Sequence, residues 1–264
     1  MISNLAYVHP EAKIGNEVTI EPFATIYKDV VIGDGTWIGP NSIIMDGARI
    51  GKNCRIFPGA VIAGIPQDLK FKGESSLAEI GDNTTVRECV TVNRGTASKG
   101  KTIVGSNCLL MAYSHIAHDC ILESSIIIGN GTQLGGEVEI GENAILSAHV
   151  LVHQFTRIGA HVIISGGSHV LKDVPPYVKA AREPLSYVGL NSVGLRRRNF
   201  ANETIYSIQE MYRHIYQSNM NHGQAVTYIE ENMPQTPERD LIINFVRSSK
   251  RGIMKGFTSE VDEE

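Results

Sequence analysis

Ile14-Gly15-Asn16-Glu17-Val18-Thr19-Ile20-Glu21-Pro22-Phe23-Ala24-Thr25-Ile26 places an isoleucine at every sixth residue and a small or β-branched residue four places after it. The same step lands on Val8 upstream and on Ile32, Ile38, Ile44, Ile50, Ile56 and Ile62 downstream. It resumes at Ile80, Val86 and Val92, and again from Val104 to Val170. Of the 28 positions on this grid from 8 to 170, 25 are Ile, Leu or Val, residues that fill only 66 of the 264 positions of the chain. Chance does not produce such a series. Neither an amphipathic helix nor a single alternating strand has a period of six. A solenoid does, if each hexad makes one short flat strand and a corner, and three hexads close a triangular coil of 18 residues. The large aliphatic then fills the axis and the small residue packs beside it. Pro22, Pro40 and Pro58 are spaced by that 18-residue interval, as residues stacked at one corner would be.

The grid is empty at Asp68, Glu74 and Ser98, in polar segments rich in Gly, Lys and Ser. These predict two loops leaving the coil, at about 63–79 and 93–103, and a loop that interrupts so regular a scaffold is more often functional than decorative. The rhythm ends at Asp173-Val174-Pro175-Pro176, where two prolines bar strand pairing and helix continuation alike. Two domains follow from this reading: residues 1–174 as a parallel β-helix and 175–264 as a smaller α-helical domain, in a mainly β chain. In the second, Ile205, Ile208, Met211, Tyr212, Ile215 and Tyr216 form a helical stripe, read as core. A capping-box spacing from Asn221 to Gln224 and a Thr236-Pro237 start complete the expectation of helices near 203–217, 222–233 and 237–249, with the chain end from Thr258 frayed.

Composition narrows the function. A net charge of −4 argues against nucleic-acid binding, which needs a basic face. No run of apolar residues is long enough for a membrane span, and Met1-Ile2-Ser3-Asn4-Leu5 lacks the layout of a signal peptide, so a cytoplasmic protein is expected. Cys54, Cys89, Cys108 and Cys120 form no CxxC pair and are read as small core residues; neither a metal nor a cofactor is called for.

The side chains that break the pattern carry the chemistry. Ser114-His115-Ile116-Ala117-His118-Asp119-Cys120 holds two histidines three apart, with a carboxylate beside the second. Imidazole is suited to remove a proton near neutral pH, and a carboxylate can fix its tautomer; a pair of surface histidines is the plain alternative. Register favours the first reading. Adding 18 twice to His118 reaches Gly136 and Gln154, which places a base, a bare backbone N–H and a side-chain amide in one column about 5 Å per step. The same addition puts Glu137 above Asp119, and His153 lies next to Gln154.

These residues, together with Ile62 to Lys70, Val152 to Phe155, Asp173 to Val178, and Gly189-Leu190-Asn191 through Arg197-Arg198, resemble the UDP-N-acetylglucosamine O-acyltransferases that begin lipid A synthesis, from about Val8 to Gly252. The resemblance implies a left-handed coil, a homotrimer with sites in the clefts between subunits, and transfer of an (R)-3-hydroxyacyl group from acyl carrier protein to the sugar 3-hydroxyl. It casts His118 as general base, Asp119 as its orienting acid and Gly136 as oxyanion donor. Gln67, Asp68, Lys70, His115, His153 and Gln154 would line the acyl or sugar-nucleotide site. Asn191 and Arg198, with Arg197 alongside, would hold the nucleotide, and an arginine fork suits a diphosphate. Arg196 to Arg198, Lys172 and Lys179 could meet the acidic carrier. Ser165-Gly166-Gly167 falls where the family limits acyl length, so Gly166 is assigned to the chain's far end.

Two positions depart from the family pattern: many members have His where this chain has Glu137, and an acidic residue where it has Val193. Acyl length and the choice between a hydroxyl and a 3-amino acceptor sugar therefore stay open at this level. Other readings weighed were an acetyl coenzyme A enzyme, transfer of the second, amide-linked acyl chain, a metal-dependent β-helical carbonic anhydrase using His115 and His118, and a purely structural solenoid. The 67–70 loop and the arginine tail argue against the first two, and Asp119 and the tail against the third; thioester cleavage dependent on a UDP-sugar would exclude the last.

Overall fold

The computed structural model describes residues 1–256, so the chain end from Thr258 lies outside the described residues. From Tyr7–Val8 to His169–Val170 the chain makes 25 short strands, most of them two residues long. Successive strands are dealt in rotation to three parallel sheets, and each strand pairs with the one a coil away. The register steps by the sequence period: Thr25 pairs with Ile43, and His115 pairs with Gln133, which pairs with Leu151.

The hexad repeats because each of its slots has a different physical task. The axial aliphatics are sealed inside, with Ile26, Ile38, Ile44, Ile62, Leu110, Ile116 and Ile128 all at 0 % exposure. Two residues later, the corner N–H takes no part in the backbone ladder. Proline, which lacks that N–H, is therefore accommodated there, as at Pro22, Pro40 and Pro58. The third slot bends with positive φ, and asparagine, which tolerates that conformation, occupies it at Asn41, Asn53, Asn83, Asn107 and Asn143. The fourth slot is buried and small. At Thr36, Thr84 and Thr132 the hydroxyl bridges coils: Thr36 Oγ1 donates to Gly51 O at 2.8 Å and accepts from Cys54 N at 3.0 Å.

This slot logic corrects one expectation. Cys54, Cys108 and Cys120 occupy the fourth slot and are buried, but Cys89 is exposed. It falls one place earlier, at a corner with φ of 55°, where the side chain leaves the core.

Strands extend further into the two polar segments than the empty grid positions suggest, to Gly64 and Asn93 and again from Leu77 and Lys101, leaving loops at 65–76 and 94–100. Both depart from the first corner, between the first and second sheets. Beyond Asp173 the chain is not helical from the start. Val178–Ala181 adds a parallel strand to the third sheet and Ser186–Leu190 returns antiparallel to it.

Helices α1 (Ser192–Arg197), α2 (Asn202–Gln217), α3 (His222–Asn232) and α4 (Pro237–Ser248) follow. Helix α1 is too short to show an apolar period and was not anticipated. The capping box of α3 and the Thr236 cap of α4 are both formed. Tyr212, on the buried stripe of α2, donates its hydroxyl to Pro176 O at 2.6 Å and pins the helices to the end of the coil. Among the described residues no helix is long and apolar enough to cross a membrane.

Because Ile116 fills the axis beside the histidine corner, Ile116→Ala should lower stability by about 2–5 kcal/mol, read as a fall in the denaturant midpoint. A loss near zero would mean that the axis is not close-packed there.

Candidate active site

The axial slots Ile116, Leu134 and Val152 are paired in register on the first sheet, and this stacks His118, Gly136 and Gln154 at the first corner. The imidazole lies close against the glycine: a Cβ at Gly136 would sit 2.6 Å from His118 Cε1 and Nε2. Any larger residue would displace the ring. Gly136 is itself buried, and among the described residues nothing accepts from its N–H, which is the corner amide the ladder leaves unused.

His118 Nδ1 faces Asp119 Oδ2 at 2.8 Å. An ionised carboxylate accepts, so the proton belongs on Nδ1 and the lone pair on Nε2, the ring nitrogen with no partner among the described residues. The Asp119 side chain is wholly buried, and burial pushes its carboxyl up. Hydrogen bonds from the Thr96 hydroxyl, His118 and the N–H groups of Thr96 and Lys99 outweigh that and hold it below the usual 3.8. Three of those four donors come from the 94–100 loop. The empty slot at Ser98 marks the loop, but nothing in the sequence singles out Thr96, Lys99 or Thr102, whose hydroxyl accepts from Asp119 N at 2.8 Å.

His115 projects from the outer face of the first sheet, its Nδ1 2.7 Å from Thr91 Oγ1. Burial, helped by nearby His118, lowers its pKa and keeps the ring neutral. Glu137 accepts from Ser98 Oγ at 3.0 Å, and His153 Nδ1 lies 3.0 Å from Gln154 O. On the 65–76 loop, Gln67 and Lys70 are exposed, while Asp68 Oδ1 accepts from Lys70 N at 2.9 Å and shapes the turn. This loop rests on the other one: Ala97 N donates to Glu74 Oε1 at 3.0 Å and Arg94 lies over the Phe71 ring.

The remaining site residues lie on other edges of the prism. Arg198 Nε donates to Asn143 Oδ1 at 3.0 Å, at the second corner, with Arg197 exposed beside it. Asn191, expected to hold a nucleotide, is 6 % exposed. Both ends of its amide are committed within the chain: Nδ2 donates to His161 O, and Oδ1 accepts from Gly194 N as the cap of α1. It shapes the turn that presents the arginines. Next to it His161, which sequence reasoning did not pick out, stacks on Tyr177; burial and then Arg198 push its pKa down to about 4. Gly166 lies exposed at the third corner.

The three faces differ in charge. The outer positions of the first sheet, among them Tyr7, Ile43, His115, Gln133 and Leu151, include no Lys, Arg, Asp or Glu. Those of the third include Leu109, Ile127, Ile145 and Ile163 in one row. The second sheet carries Lys13, Arg49, Glu79, Glu139 and Arg157 outward.

Known proteins match both halves of this architecture. The profile described as "Bacterial transferase hexapeptide (six repeats)" matches residues 29–64 and 101–136. That described as "Udp N-acetylglucosamine O-acyltransferase; Domain 2" matches residues 173–254. An acyl-(acyl-carrier-protein)-UDP-N-acetylglucosamine O-acyltransferase from Sulfurihydrogenibium sp. is 54% identical over 194 residues, 73% of this chain and 72% of that protein. The protein of the same name from Aquifex aeolicus is 51% identical over 197 residues, 74% and 76% of the two chains. Among solved structures, LpxA, a UDP-N-acetylglucosamine acyltransferase from Bacteroides fragilis, superposes with a TM-score of 0.95 at 56% identity, over 97% of this chain and 100% of that one. The hexapeptide match and this superposition give the coil its left-handed sense.

A carboxyl with a lowered pKa stabilises the fold where it is ionised, above the unfolded value of 3.8, and that contribution is lost as pH falls through the folded value. Asp119→Asn removes this titration. Between about pH 5 and about pH 3 its stability should therefore fall less steeply than the wild type's, measured by denaturant midpoints. Parallel slopes would refute the donor network around Asp119.

Proposed function

Since the chain belongs to the UDP-N-acetylglucosamine O-acyltransferase family, we propose that it moves an (R)-3-hydroxyacyl chain from acyl carrier protein to the 3-hydroxyl of UDP-N-acetylglucosamine, the first step of lipid A biosynthesis. The observation that carries this reading is a single imidazole. His118 Nδ1 is held by a buried carboxylate, and its ring lies on Gly136 with Nε2 unpartnered.

Nε2 takes the proton of the sugar 3-hydroxyl as that oxygen attacks the thioester carbonyl. The tetrahedral oxyanion forms beside Gly136, whose N–H is free to donate to it. Asp119 stabilises the imidazolium, which returns its proton to the departing thiolate. The C–S bond breaks as the oxyanion collapses and the carbonyl re-forms, now as an ester, and no covalent enzyme intermediate is needed. Cys120 takes no part: burial pushes its thiol up to about 12, so it is not ionised near neutral pH.

The site is completed by a second chain. His118 is on the first edge of the prism and Arg198 on the second, so one chain does not bring them together. Three prisms arranged with their third edges on a common axis bury the two faces poorest in charge, the first of one chain against the third of the next. The first edge of each chain then meets the second edge of its neighbour. His118, Gln154 and the 65–76 loop face the neighbour's Arg197 and Arg198, which take the diphosphate, with the exposed Lys70 and Lys172 at the rim suited to an acidic carrier. The acyl chain runs inward between the faces toward the third edge, where Gly166 lies.

General-base catalysis is commonly worth about 10²- to 10⁴-fold, so His118→Ala should lose at least that in turnover while remaining folded; activity within a few-fold of wild type overturns the role. Mixed trimers test the shared site. His118→Ala and Arg198→Ala chains, each inactive alone, should regain about a quarter of wild-type sites when refolded together, and no recovery would place the whole site within one chain.

A further inference from the structure

We propose that Thr96 is a positioning residue for catalysis: its hydroxyl sets the proton affinity of the Asp119–His118 pair and holds the carboxylate in the plane that serves the imidazole. The proposal rests on His118 acting as general base and goes beyond it by assigning a function to the 94–100 loop.

Thr96 straddles the carboxylate, its N–H donating to Asp119 Oδ1 at 3.0 Å and its Oγ1 to Oδ2 at 2.6 Å. Oδ2 is the same oxygen that faces His118 Nδ1. The direction of the hydroxyl follows from a further contact. Ser98 N donates into Thr96 Oγ1 at 3.2 Å, occupying a lone pair and leaving the hydroxyl proton to Asp119. Thr96 is 7 % exposed, so water does not readily substitute for it. The loop is carried by carboxylates on neighbouring elements: Ser98 Oγ on Glu137, Lys99 Nζ on Glu139 and Ala97 N on Glu74. The titratable groups around the pair are thus His115 and Cys120 on the coil, Glu137 one coil on, and Lys99 on the loop.

A short hydroxyl bond to Oδ2 spreads the carboxylate charge away from the imidazole. Without it the carboxylate draws the Nδ1 proton more strongly and the imidazolium is more favoured, so the pair is a poorer base near neutrality. A residue that only closed the loop would affect stability and leave this titration alone.

Thr96→Val keeps the shape and removes the donor. Its kcat should fall about 10- to 100-fold, as is usual for groups that orient a functional side chain, with KM for both substrates little changed. The acid limb of its kcat/KM profile should move to higher pH, and Thr96→Ser should restore both. If Thr96→Val does not fold by circular dichroism, Thr96→Cys, a weak donor of similar size, should shift the limb in the same direction. An unshifted acid limb with wild-type kcat overturns the proposal. His118→Ala is run alongside: if it stays active, the general-base reading itself fails, whereas an inactive His118→Ala with an unshifted Thr96 variant removes only the positioning role.

Discussion

One aliphatic side chain per hexad, stacked along the axis of the coil, is the interaction from which the rest of the molecule follows. Each fully buried Ile, Leu or Val contributes about 1.5–3 kcal/mol, and the axial series runs almost unbroken from Ile20 to Val170 at a few per cent exposure or less. Such a column leaves no freedom in register. A residue's place in the hexad therefore decides whether it points to the axis, out of a face or around a corner, and the neighbouring coil repeats that choice a strand spacing away. The result is a rigid wall on which His118, Gly136 and Gln154 are held at fixed intervals by backbone pairing.

Burying a carboxylate in that wall has an electrostatic cost that the coil alone does not offset. Asp119 has φ of 61°, in the same corner slot as Cys89, so its side chain leaves the core, and it is kept from solvent beneath the 94–100 loop. An ionised group there requires donors, and apart from His118 the donors that Asp119 finds do not come from its own coil. The 94–100 excursion supplies them. The same excursion carries Ser98 to Glu137 and Lys99 to Glu139, so the loop, the carboxylate and the imidazole behave as one assembly whose geometry is set from outside the repeat.

A triangular prism also separates what a bisubstrate reaction must bring together. Its three edges hold His118, the pair Arg197 and Arg198, and Gly166 respectively, and its faces differ in charge. The short helix α1 matters in this setting because the Asn191 cap fixes the turn that presents Arg197 and Arg198 at the second edge. Their place at an edge, rather than a pocket of one chain, suits a ligand that lies between neighbours.

The coil, its 18-residue register and the histidine column were legible in the amino-acid order because a strict period converts sequence separation into spatial distance. His118, Gly136 and Gln154 could be placed together by addition. The same logic extended to Cys54, Cys108 and Cys120 but failed at Cys89, one slot off the grid. Where the period lapses, so does the inference: the grip of Thr96 and Lys99 on Asp119, the commitment of Asn191 to a helix cap, the stack around His161 and the strands that follow Pro176 have no repeat to reveal them. Sequence by itself determined which residues share an axis and a corner, since periodic packing is a local rule applied many times. Only the tertiary structure decided which loop satisfies the buried carboxylate and which edge each site residue occupies, since those contacts join segments whose separation follows no rule.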